Sequence, residues 1–266
     1  MKLKEIDREE LYKAMLILEN PGIAAKITNF IGTPIEKSIE LLPENWRDKV
    51  GEITKTALLK ATDAAVLTLK DNNKNRSSNM LHKIGVAFSG GVGGFFGLPA
   101  LAIELPVSTT LMLRSIADIA RAEGESINNP DTKLACIEVF ALGGRGAADD
   151  AVESGYFTVR AALAKSVSEA AEFAATKVLT DEGAPVLIRL ISNIAERFSV
   201  QVTEKAAAQS IPAIGAAGGA ILNTIFIDHF QDMAKGHFII RRLENQYGKD
   251  LIKSAYDDML KRSLVA

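Results

Sequence analysis

A 30-residue stretch, Ile84 to Leu113, holds a single charged residue, Glu104. It reads IGVAFSGGVGGFFGLPALAIELPVSTTLML, with six glycines and with prolines at positions 99 and 106. An apolar run of this length suggests a membrane span, but the glycines and prolines break any single spanning helix. The stretch is too apolar for a surface loop. Two roles fit it: the packed centre of a helical domain, or a part that enters a bilayer interface. Phe95, Phe96, Leu98 and Leu101 are the candidates for lipid contact.

The rest of the chain decides the class. With 266 residues it can bury a sizeable core without staples. Apolar residues make up 47% and charged residues 24%, the balance of a folded globular protein. Alanine is abundant and aromatics are few, which favours closely packed helices over sheets. A net charge of −2 offers no field for nucleic acid, so none is expected as a partner. One cysteine, Cys136, excludes an internal disulfide and any multi-cysteine metal site. The charged start MKLKEIDREELYKAM has no apolar signal core, so a cytoplasmic location is expected.

Almost every segment reads as helix. Asp7 to Glu19 is short and charged. Thr33-Pro34-Ile35-Glu36 predicts a capping box with proline in the first helical position. Pro43 to about Lys70 has helical spacing, and the polar run 71–79 suits a linker. A helix is expected from Pro106 to Ala122, and another opens at Asn129-Pro130-Asp131. From Ala148 to Thr180 an apolar stripe includes Tyr156, Val159 and Leu163. Pro185 starts the next helix. The last long one carries Phe226, Phe230, Met233, His237 and Ile240 on one face, and a charged helix from about Lys249 to Arg262 closes the chain. The expected organisation is an all-α multi-helix bundle, with an N-terminal helical arm (1–76) and a main helical domain (77–266).

Leu98–Gly124 and Ile211–His237 resemble each other. Each begins apolar-Pro-Ala, and they end in Asp118-Ile119-Ala120-Arg121 and Asp232-Met233-Ala234-Lys235. An internal duplication would bring two related units face to face in the core.

Few residues could carry chemistry. Arg114, Asp118 and Arg121 share a helix face, and an Arg114–Asp118 pair is expected to be buried. Asp228, His229 and Asp232 lie within about one helical turn, the only grouping here that suggests a divalent metal. Ser89-Gly90-Gly91-Val92-Gly93-Gly94 lacks the Gly-Lys-Ser/Thr ending of a phosphate loop. It follows no strand, so a dinucleotide site is not expected either. No catalytic residue and no cofactor are expected.

Three stretches carry a family resemblance: SGGVGGFFGLPALAIELPVSTTLMLRSIADIARAEGE, the Asn129-Pro130 helix with CIEVFALGG, and AAAQSIPAIGAAGGAILNTIFIDHFQDMAKGHFIIRRLENQYG. Over roughly residues 80–250 the chain resembles the EcsC family, a bacterial, all-helical group named for a gene beside an ABC transporter. The resemblance implies the fold and brings no reaction with it. Its polar positions here are Arg114, Asp118, Asn223, His229, His237, Arg241 and Glu244, which stand as candidate ligand-binding residues.

The leading expectation is a non-catalytic cytoplasmic protein, peripheral at the inner membrane, with a membrane surface or membrane protein as partner. The charge-poor segments 84–113 and 206–227 motivate it. The rivals are a small-molecule binder or enzyme, with a pocket around Arg114, Asp118, Asn223, His229 and His237, and a soluble helical adaptor.

Overall fold

The computed structural model describes residues 3–19, 22–68, 97–144, 155–176, 185–211 and 215–264. Among them are ten α-helices and no strand. In chain order these are α1 (Glu5–Leu18), α2 (Ile23–Ile31), α3 (Ile35–Glu40), α4 (Trp46–Thr68), α5 (Gly97–Ala122) and α6 (Pro130–Glu138). A 3₁₀ turn (Val139–Ala141) extends α6, and α7 (Gly155–Thr176), α8 (Pro185–Gln209), α9 (Gly215–Tyr247) and α10 (Lys249–Ser263) follow.

The central element is α9, the longest helix, with 33 residues. At the usual helical rise it spans about 50 Å. Its expected inner face is buried throughout: Phe226, Phe230, Met233, His237 and Ile240 are at most 2% exposed. Phe226 and Phe230 meet Phe198 of α8 and Phe140 of the 3₁₀ turn, with ring centroids 4.9–6.0 Å apart. Such tilted and edge-on pairs add to the gain from burial alone. The helix ends at Gly248, whose φ of +92° suits glycine and whose N–H bonds the Glu244 carbonyl.

Cross-links fix how the neighbours run. Gln231 donates to Ser115 and Arg241 to Glu125, so α5 and α9 lie side by side in the same direction. The two mutually similar segments are thus packed together. Lys205 sits over Phe226, and Gln209 donates to Asn223, so α8 runs opposite to α9. So does α1: Leu18 fills the space beside Gly236, Arg242 bonds Glu10, and the Tyr247 hydroxyl donates to Asp7. The helices expected as an arm therefore share one core with the rest of the chain.

Two local expectations change. Helix α5 is already helical at Gly97, well before Pro106, and passes through that proline. Pro106 takes a bond from the Ala102 carbonyl, but Ala102 is exposed and water can serve it. The capping box does not form, since α3 has no side-chain cap. The Ile35 N–H instead donates to Thr28 Oγ1 from the preceding helix. Asn129 does cap α6, its side chain accepting from the Asp131 N–H at 3.0 Å.

Candidate functional site

The polar candidates on α9 separate into three stations along its length. Asn223, near the N-terminal end, is buried and accepts from Gln209. His229, in the middle, is fully buried, and neither ring nitrogen has a hydrogen-bond partner. Its ring packs against Gly143, where an added Cβ would come within 2.5 Å of it. Burial, and then the charge of Lys26, push its pKa down to about 3, so the ring is neutral at physiological pH.

The third station is the most polar. His237 is fully buried with Nδ1 3.0 Å from the Tyr156 hydroxyl. Arg160 reaches that hydroxyl and also grips Glu244 through two bonds. Burial first, then Arg160 and Arg241, hold His237 well below the usual histidine range. Glu138 lies in the same field. Burial raises its pKa, while Arg160 and Arg241 pull it back. Glu19 closes the group from α1: its carboxylate accepts from the Gly155 and Tyr156 N–H groups and from the Tyr256 hydroxyl. Arg241 pairs with Glu125, which also accepts from Thr132. These groups are satisfied mainly by one another, which suits a fixed structural network.

The remaining candidates fall elsewhere. Asp118 pairs with Arg121, one turn further along α5, and Arg114 is half-buried. Arg114, Asp118 and Arg121 are all half-buried on this face of α5, not fully buried. Asp228 is exposed, and Asp232 pairs with Lys26 at 3.4 Å. His229 points into the core away from both, because a buried ring and an exposed carboxylate occupy different faces of one helix. Among the described residues no three His, Cys, Asp or Glu side chains are placed to hold a metal. Phe95 and Phe96 lie outside the described residues, Leu98 is in the first turn of α5, and Leu101 is core rather than lipid-facing.

Sequence reasoning missed a different feature. The N-terminal third of α5, the C-terminal part of α8 and the N-terminal third of α9 meet at one end of the bundle. Residues 97–113, 199–211 and 215–227 contain three charged residues, Glu104, Glu204 and Lys205. Glu204 is buried, and Lys205, only 2% exposed, bonds Glu104 at 2.9 Å. The large apolar side chains that the described parts of these segments expose are Ile103, Val107, Val200 and Ile221, at 75%, 53%, 44% and 47%, and Ser210 and Thr224 are exposed beside them. The opposite end of α9 is ringed by Glu10, Glu123, Glu125, Arg241 and Arg242 in ion pairs. Within α5 and α9 the charged residues therefore lie mostly towards the C-terminal halves. The apolar composition of 84–113 pointed to this end, but the wrong side chains within it. Among the described residues, no helix is long and apolar enough to cross a membrane.

Fold and site together define an all-α bundle held by a buried ion-pair network. The chain matches the EcsC protein family over residues 7–243, and it belongs to that family. The match begins within α1, so it takes in the N-terminal helices that the sequence resemblance left out. No curated protein and no solved structure matches the chain.

Proposed function

We propose that the protein is a non-catalytic, cytoplasmic helical protein that associates peripherally with the inner membrane, through lipid or through a membrane-protein partner. One observation carries this reading: α5 and α9 expose Ile103, Val107 and Ile221, while Lys205 of the neighbouring α8 is turned inward onto Glu104. Exposed apolar groups gathered at one place mark interaction surfaces far better than single ones scattered over the surface.

A rival reading, small-molecule binding, has one observation behind it. A cleft of about 380 Å³ between α1 and α10 is lined by Arg8, Tyr12, Met259 and Arg262, among others. It contains none of the candidates Arg114, Asp118, Asn223, His229 and His237, and the last three are packed inside the bundle. The membrane reading is therefore preferred.

Cell fractionation tests it. The protein is expected in the membrane pellet, released by alkaline carbonate as peripheral proteins are. Recovery wholly in the soluble fraction, at native expression level and with every wash omitted, would refute the reading.

A further inference from the structure

We propose that Glu138 is a proton-operated latch: with a proton on its carboxyl, the ion pairs that hold α6, α7 and α9 together stay closed, and without it Glu138 pulls on them. The inference is independent of the membrane reading.

Glu138 is the odd member of the third station. It ends α6 and is only 6% exposed. Every other carboxylate there has partners. Glu244 takes both arms of Arg160, Glu125 takes Arg241 and Thr132, and Glu19 takes the Tyr256 hydroxyl and two N–H groups. Glu138 has neither a hydrogen bond nor an ion pair among the described residues. A carboxylate buried without a partner is costly, and a protonated carboxyl far less so. The charges lead to the same point. Three carboxylates, of Glu125, Glu138 and Glu244, stand against two guanidiniums, of Arg160 and Arg241. Two pairs are already made, and one proton on Glu138 brings these groups into balance.

The groups around Glu138 come from several elements. From α5 and the turn after it come Arg121 and Glu125, from α7 Tyr156 and Arg160, and from α9 His237, Arg241 and Glu244. Helix α8 also packs on α6 but supplies no charge that acts on Glu138. Burial, the largest influence, and Glu244 favour the neutral carboxyl, while Arg160 and Arg241 oppose them. Tyr156 and His237 stay neutral, because burial pushes the tyrosine up and the histidine down.

Ionised, Glu138 competes with Glu244 for Arg160 and with Glu125 for Arg241. The first pair ties α7 to α9, and the second ties the turn before α6 to α9. The start of α7 is the part to loosen, since Tyr156 is held there by Arg160, His237 and Glu19. The folded protein binds this proton more tightly than the unfolded chain, whose ordinary value is 4.5. Stability is therefore lost as pH rises above 4.5, until the folded carboxyl ionises as well.

The wild type and Glu138→Gln are compared from pH 5 to 10 by infrared spectroscopy and by hydrogen exchange of the α7 amides, corrected for the intrinsic effect of pH. At neutral pH the wild type is expected to show the carbonyl stretch of a protonated carboxyl that the glutamine variant lacks. As pH rises the band should fade, and the first turns of α7 should exchange at least tenfold faster with the same midpoint. Glu138→Gln should show no such step, and its advantage in melting temperature should widen from pH 5 to pH 8.

A wild-type spectrum without that band at neutral pH would overturn the proposal, whether or not the variant folds. So would a band that fades with no faster exchange, or faster exchange that persists in Glu138→Gln. If glutamine is not tolerated, Glu138→Met serves in its place. In the wild type alone, two different midpoints would equally overturn the proposal.

Discussion

Arg160 of α7 and Glu244 of α9, 84 positions apart, hold each other through two hydrogen bonds of 2.7 and 3.0 Å in a largely buried pair. The planar guanidinium matches the carboxylate as a fork, the strongest form of such a bond. The pair fastens α7 to the central helix beside Tyr156 and His237.

Removing one member should cost far more than removing both. Glu244→Gln leaves Arg160 charged in a site that is mostly out of water, a loss of about 3 kcal/mol. That figure is at the lower end for buried pairs because Glu138 stands in the same field. Burial keeps the Glu138 pKa high and Glu244 raises it further, against the pull of Arg160 and Arg241. Glu244→Gln removes one of the charges that raise the Glu138 pKa. The double change Arg160→Met with Glu244→Leu should be less harmful than either single change. Urea unfolding of the four proteins checks the order, and a double mutant as unstable as the sum of the singles would contradict it.

His229 should make the fold sensitive to acid. Its folded pKa of about 3 lies below the ordinary 6.5 because burial, and then Lys26, disfavour the charged ring. The unfolded chain therefore binds the proton first. Stability is complete above about pH 6.5 and falls as pH drops towards 3, by about 1.4 kcal/mol per unit for this one group. Burying two unpartnered nitrogens also costs free energy at neutral pH. His229→Leu is therefore expected to flatten the acid limb and to be neutral or stabilising at pH 7. Thermal melts between pH 4 and 8 decide, and a strongly destabilised leucine variant at pH 7 would mean that the ring makes a contact of net value.

How far the sequence showed all this depends on the distance between partners. The apolar stripes of α8 and α9 and the Asn129 cap were legible, because each rests on residues within a few positions of one another. The Thr33 capping box failed for the opposite reason: the hydroxyl that Ile35 uses, Thr28, comes from the helix before. Tyr156 read correctly as part of an apolar stripe, but nothing local reveals that its hydroxyl meets His237, 81 positions away. The Glu19 carboxylate at the start of α7 lies 136 positions from the Gly155 N–H that it accepts. Glu104 was conspicuous as a lone charge, and its buried partner Lys205 was not.

Cys136 should be inert in the folded protein. It is buried on α6, and burial raises its thiol to about 12, with Arg241 pulling weakly the other way. The reactive form is the thiolate, which is scarce at neutral pH under those conditions. A maleimide should label the native protein no faster than it unfolds, and label it at once in urea. Rapid stoichiometric labelling of the native protein would show that the thiol is accessible.

Gly143 is one of the tightest points of the described structure. Its φ is +72°. That left-handed conformation costs residues other than glycine about 1–2 kcal/mol. A Cβ placed there would also lie 2.5 Å from the His229 ring and 2.7 Å from the Met233 sulfur. Overpacking of this kind typically adds about 1–3 kcal/mol, so Gly143→Ala should lose about 2–5 kcal/mol in all. The two contributions can be separated. Gly143→Ala in the background of His229→Ala removes the ring clash and retains the backbone strain, so alanine at 143 should cost clearly less there. Met233→Ala should relieve less, because a thioether bends away more readily than an imidazole fixed between helices. Denaturant unfolding of the wild type, the three single variants and the two double variants measures both couplings. Strict additivity between positions 143 and 229 would show that the ring does not press on that glycine.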